Sequence, residues 1–218
     1  MHVVKRRYVD LMHGLGGIEA VAQFSQIETT DDRYGWRRWF ASLFAIYDTE
    51  RMIVLDLPWW NVKATHEVEQ FLASRPGARV FEYGSGASTV WLAKRAREVI
   101  SVEHDRPWFD KFVRQTAPHD NVSLMHRSIA DGPTGYVAGI EEVGGQFDII
   151  VVDGRHRSAC LARSVSHLKP GGMVLFDDSG RTRYRAAIQS CGLAEDRYYG
   201  LSYCVPYPDY TSLLRQHG

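Results

Sequence analysis

Hydrophobic positions change period along this chain, and the changes mark its elements. Trp36, Trp39, Phe40, Leu43, Phe44 and Tyr47 recur at helical spacing, which predicts an amphipathic helix with Asp31 or Asp32 as its cap. Before it the signals are weak. Gly14, Gly16 and Gly17 are expected to break whatever Val3 to Met12 begins, and Val21 to Ile27 can form a short helix. The turn Asp56-Leu57-Pro58-Trp59-Trp60-Asn61 follows. Thr65 is positioned to cap a helix through Leu72, which Pro76-Gly77 ends. Val80-Phe81 then reads as a strand, Gly84 and Gly86 as a sharp turn, and Val90-Trp91-Leu92 as part of a helix running to about Arg97.

The alternation continues downstream. Glu98 to Asp105 is a short strand ending in acid, Pro107 to Thr116 a helix, and Val122 to Met125 a strand. Gly132 to Gly145 reads as loop with at most one helical turn. Asp148 to Val152 is almost wholly apolar, as expected of a parallel strand buried on both faces. Arg157 to Leu168 is helical until Lys169-Pro170-Gly171-Gly172 stops it, Met173 to Phe176 is a strand, and Arg181 to Ser190 is a basic helix. Glu195 to Val205 and Tyr210 to Leu214 form an antiparallel edge pair. Strands alternating with helices predict an α/β fold with a doubly wound, mostly parallel sheet. The expected division is a helical N-terminal extension or lid over residues 1–60 and the sheet domain over residues 61–218.

The strand, two-glycine turn and helix starting at Val80 make the opening of a nucleotide-binding unit. Glycines at 84 and 86 allow close approach of ligand atoms. Glu82 is unusual there. A buried carboxylate needs a partner, and a cationic ligand group would supply one, whereas a pyrophosphate would be repelled. About twenty residues on, Glu103 stands where an acid accepts hydrogen bonds from ribose hydroxyls.

Glu82-x-Gly84-x-Gly86 followed by Glu103 resembles the S-adenosylmethionine site of the class I (Rossmann-like) methyltransferases. Phe147 to Gly154 and Leu168 to Asp178 resemble that family's fourth and fifth strands. The resemblance implies S-adenosylmethionine as cofactor, bound by Glu82, Gly84, Ser85, Gly86, Ser88, Glu103, His104, Ser128 and Asp153. It puts Ser128 and His104 beside the adenine and Asp153 at the reactive end. Asp153 and His156 are the catalytic candidates, His156 as a general base or alternatively as a cap or ribose-side ligand at a helix start. Trp59, Trp60 and Asp177 are expected to line the acceptor side. Asp153, Asp177 and Asp178 also resemble the metal triad of catechol-type O-methyltransferases, but Asp178 stands where Asn is usual. The expectation is no metal, with Asp178 hydrogen-bonding a basic neighbour such as Arg181.

Composition narrows the substrate. The 218 residues carry 26 basic and 26 acidic side chains, a balance that disfavours a phosphate backbone as partner. The expected acceptor is a small molecule methylated at oxygen, with no nucleic acid and no membrane. Cys160, Cys191 and Cys204 show neither disulfide nor metal spacing and suit a reducing cytoplasm. No apolar run approaches the roughly 20 residues of a membrane span. The helix at Trp36 to Tyr47 packs on the domain, forms a homodimer face, or closes over substrate. Alternatives left open are an NAD-dependent oxidoreductase, disfavoured by Glu82 and by the lack of glycine at Ser88 or Thr89, and a non-catalytic cofactor-binding module.

Overall fold

The computed structural model describes residues 3–25 and 32–217. Four helices come first: α1 (Val3–Gly16), α2 (Glu19–Phe24), α3 (Trp36–Leu43) and α4 (Thr49–Val54). Alternation follows, with α5 (Val62–Ala73), β1 (Arg79–Tyr83), α6 (Ala87–Ala93), β2 (Glu98–Glu103), α7 (Arg106–Thr116) and β3 (Val122–His126). Two short helices, α8 (Thr134–Val137) and α9 (Gly139–Val143), precede β4 (Phe147–Val152). Then come α10 (Arg157–Ser164) with a 3-10 turn at Val165–His167, β5 (Leu168–Asp177), α11 (Thr182–Ser190), β6 (Ala194–Gly200) and β7 (Asp209–Arg215).

The seven strands lie in the order β3-β2-β1-β4-β5-β7-β6. β1 to β5 are parallel, and β7 runs antiparallel between β5 and β6. The chain crosses from β3 back to β4 beside β1. That topological switch opens a crevice at the carboxyl ends of β1 and β4, where ligands of open parallel sheets bind.

Strand side chains alternate between faces, and each face carries its own core. Phe81, Tyr83, Ile150, Val152 and Phe176 pack with Tyr136 and Leu161. Val80, Ile149, Val151 and Leu175 pack with Trp60, Val68, Leu72 and Trp91. A third cluster joins the N-terminal helices to the C-terminal loop. Val9, Met12, Leu43, Phe44 and Met52 meet Tyr203 and Cys204 there. Trp39 Nε1 strengthens this junction by donating to Ser202 O at 3.0 Å.

Several expected boundaries move. α3 stops at Leu43 because Phe44 to Tyr47 turn, with Tyr47 at φ 61°; its Leu43 and Phe44 are buried inside the chain. Asp32 does not cap α3. Its carboxylate accepts from Tyr34 N, and Gly35 is the cap residue. Ile27 and Asp31 lie outside the described residues. α1 continues through Gly14 to Gly16. Asn61, not Thr65, caps α5, accepting from Lys63 N and Ala64 N; this starts the helix four residues earlier. α6 ends at Ala93, well short of Arg97. Lys169-Pro170-Gly171-Gly172 does not separate helix from strand but lies within β5, across from a shift in the β4–β5 register between Phe147 and Ile149. β6 ends at Gly200, and the chain to Asp209 is loop. No described helix is long and apolar enough to cross a membrane.

Candidate active site

A cleft of about 550 Å³ opens over the switch point. Its floor is the turn after β1 (Gly84, Ser85, Gly86 and Ser88), and its sides are Glu103 to Asp105 after β2 and Asp153 to Arg155 after β4. Asp177, Asp178, Arg181 and Asp209 close the far end, while Tyr47, Met52, Trp59 and Tyr207 arrive from outside the sheet.

Glu82 does not face this cleft. It is fully buried on the same face of β1 as Val80, beneath α6. Its carboxylate accepts from the hydroxyls of Ser88, Thr89 and Ser101. Ser101 is its register partner on β2. Burial raises its pKa to about 7, and the three hydroxyl donors pull the other way. The partner that sequence reasoning assigned to a ligand cation is thus supplied by the chain. Period-two alternation is the reason, since it turns residue 82 under the helix and leaves the turn after Tyr83 to meet ligand.

The two glycines also divide their work. Gly84 adopts φ +96°, and a Cβ there would stand 2.7 Å from Gly154 Cα. Gly84 lets the β1 and β4 turns touch, so its demand is internal packing. Gly86 is different. A Cβ there would meet nothing nearer than Ser88 Oγ at 3.5 Å, on a backbone any residue can adopt. The open space beside Gly86 belongs to the cleft.

Glu103 is buried at the end of β2. Ser85 N donates to it at 3.1 Å, and His104 N and Asp105 N at 2.7 and 2.8 Å. It therefore pins the glycine turn, and it is among the residues that line the cleft. His104 lines the same wall, its Nδ1 2.7 Å from Glu103 Oε1 but off the line a hydrogen bond needs. Trp108, not singled out in the sequence, donates from Nε1 to Ser85 O at 2.7 Å and lines the cleft too.

At the other end Asp153, Asp177 and Asp178 converge on Arg157. Trp60 Nε1 donates to Asp153 Oδ2 at 3.1 Å, and the Arg157 guanidinium donates to Asp153 Oδ1 at 2.8 Å. The same guanidinium reaches Asp178 Oδ2 at 3.1 Å and Asp177 Oδ2 at 3.7 Å. It also donates to the carbonyls of Asp153, Gly154 and Asp177. Thr211 Oγ1 donates to Asp177, and Arg181 to Asp178 at 2.8 Å. Burial raises the Asp153 pKa, with repulsion from Asp178 adding to it and Arg157 and Trp60 opposing. Asp177 is also raised well above the usual carboxylate range, by burial and then by Asp153 and Asp178.

Three expected positions differ. Trp60 is fully buried against Trp91 and touches the site only through Asp153; Trp59 alone of the pair lines the cleft. His156 is exposed in a left-handed backbone at the start of α10 and lines no part of the cleft. Ser128 is exposed beyond the cleft wall, its hydroxyl taken by Ala130 N. Arg157 was missed. Its signal was present as the i+4 partner of Asp153 across the start of a helix.

A parallel sheet in this order, with its cleft at the β1/β4 switch, defines a Rossmann-like methyltransferase fold. Residues 81–179, from the middle of β1 to just past β5, match a family model described as a methyltransferase domain. The N-methyltransferase NodS from Bradyrhizobium japonicum WM9 has the same fold, with a TM-score of 0.51 and 15% identity over 72% of this chain and 95% of that one. An rRNA methylase from Streptococcus thermophilus gives 0.52 and 15%, over 70% and 96%. A Streptococcus mutans protein crystallised with SAH gives 0.51 and 13%, over 69% and 96%. In sequence, 46 residues are 39% identical to rRNA adenine N-6-methyltransferases of Bacillus licheniformis and Bacillus anthracis. That stretch is 21% of this chain and spans only 16% of the length of each relative. Residues 81–179 thus match a methyltransferase domain, and the chain shares the Rossmann-like fold of these methyltransferase structures.

Proposed function

We propose that this protein transfers a methyl group from S-adenosylmethionine to the oxygen of a small-molecule acceptor. The observation that carries the reading is the cleft at the β1/β4 switch, walled by Gly86 and Glu103 at one end and by Asp153 at the other. The cleft suits this cofactor. Gly86 leaves room for its backbone, Glu103 brings a carboxylate to the cleft wall for the ribose hydroxyls, and His104 with Trp108 flanks a flat base. The S. mutans neighbour was crystallised with SAH, which supports the assignment. When bound, the cofactor supplies a methyl on a positively charged sulfur. Asp153 would take the proton of the acceptor hydroxyl as the oxygen gains the methyl, the carbon–sulfur bond breaking and the sulfur leaving as the neutral thioether of S-adenosylhomocysteine. A carboxylate with a raised pKa is the better base for that step, and Trp60 and Arg157 hold it in place.

The small-molecule reading rests on charge. Six acids line the cleft (Glu103, Asp105, Asp153, Asp177, Asp178 and Asp209) against three arginines, Arg155, Arg157 and Arg181. An RNA backbone approaching that mouth meets net repulsion. The relatives named for rRNA make RNA the second reading, and methyl-transfer assays with rRNA are expected to give no product.

Calorimetry tests the cofactor. S-adenosylhomocysteine is expected to bind and NAD to give no heat. Gly86→Val is expected to stay folded, because its backbone accepts a side chain, yet to lose at least tenfold in affinity as the γ-methyls enter the cleft. Tight NAD binding would reject the proposal.

A further inference from the structure

Three carboxylates at the ends of neighbouring strands resemble a divalent-metal site, and the donor set alone would suit magnesium. Their arrangement here does not fit one. The Arg157 guanidinium lies among them, 2.8 Å from Asp153 Oδ1, 3.1 Å from Asp178 Oδ2 and 3.7 Å from Asp177 Oδ2. It is buried, and carbonyl acceptors at Asp153, Gly154 and Asp177 fix its fork. Arginine stays ionised at every physiological pH. Among the described residues no group of His, Cys, Asp and Glu is arranged to hold a metal ion.

We propose that Arg157 is a built-in cation that takes the place of a metal at the acceptor end of this cleft. It gathers Asp153, Asp177 and Asp178, neutralises part of their charge and holds Asp153 toward the reacting centre. It is a positioning residue, since it acts through Asp153. Two consequences follow from the geometry. A divalent ion cannot enter without displacing a guanidinium that makes four hydrogen bonds and pairs with Asp177 and Asp178. The acceptor, in turn, need not be a chelating diol, because no metal presents it. A single hydroxyl beside Asp153 is enough. The inference rests on the proposed use of the cleft only for the word acceptor; the carboxylate cage itself can be tested without any turnover.

The test is manganese binding followed by electron paramagnetic resonance on the full chain. The wild type is expected to leave added Mn²⁺ free up to about millimolar concentration. Arg157→Ala is expected to bind one equivalent at least tenfold more tightly, and the double variant Arg157→Ala with Asp177→Asn to lose that gain. Arg157→Lys, which keeps the charge, is expected to behave as wild type. Saturable Mn²⁺ binding by the wild type that Asp177→Asn weakens would overturn the proposal, even if no Arg157 variant folds. A folded Arg157→Ala protein that gains no Mn²⁺ binding would overturn it as well. S-adenosylhomocysteine calorimetry on the same samples reports separately on the cofactor, so failure of one reading is distinguishable from failure of the other.

Discussion

At the scale of single residues, Glu82 shows how a buried acid can be kept without a ligand. Its pKa rises from 4.5 to about 7 through burial, so the folded state holds the proton more tightly than the unfolded chain. The stability this lends is fully present below pH 4.5. It falls as the unfolded chain ionises first, and is lost by about pH 7. At about 1.4 kcal/mol per pH unit this is an effect of ~3 kcal/mol. Glu82→Gln removes the titration while keeping the shape, with Ser88, Thr89 and Ser101 rotating to suit the amide. Urea denaturation at pH 5 and pH 7.5 is expected to show the wild type losing more stability than the variant between the two. Equal losses would mean that Glu82 does not carry this pH dependence.

At the scale of elements, the turn between α4 and α5 holds Asp153 by a hydrogen bond from Trp60. Trp60 is held by Trp91 at a ring separation of 5.8 Å, and its Nε1 steadies the ionised form of Asp153. Trp60→Phe keeps most of the packing and removes the donor. The Asp153 pKa is then expected to rise further, moving the acidic limb of the pH profile of methyl transfer toward higher pH. A hydrogen bond to a charged group is worth about 1.5–3 kcal/mol, so a shift of roughly one pH unit or more is expected. An unmoved limb would show that Asp153 is not the titrating base. The same pair of elements shows why the double tryptophan was hard to read. Adjacent residues diverge, and only the fold decides that Trp59 takes the cleft and Trp60 the core.

At the scale of the whole molecule, the N-terminal helices are not an independent piece. Their apolar faces share a core with Ala87, Tyr203 and Cys204, and Tyr47, Met52 and Trp59 complete the cleft wall. Arg95 reinforces this, reaching Asp56 and Glu69 at 2.6 Å each. We therefore expect one cooperative calorimetric transition for the chain and a single upward shift of Tm with saturating S-adenosylhomocysteine. Two separable transitions would make residues 1–60 a domain of their own. The mostly parallel sheet was legible in the sequence because its signals are local: apolar runs, two-glycine turns and strands ending in acid. So was the placement of Glu103, Asp153 and Asp177 at strand ends, since a parallel sheet brings those ends together. What needed the tertiary structure was direction and partnership. Whether Glu82 points up at a ligand or down under α6 depends on which face the helix covers. Whether Asp153, Asp177 and Asp178 enclose a metal or a guanidinium depends on how α10 delivers Arg157. Local spacing puts Glu82 on one face of β1 and Arg157 four residues after Asp153, but only packing decides which face α6 covers and whether the guanidinium also meets Asp177 and Asp178.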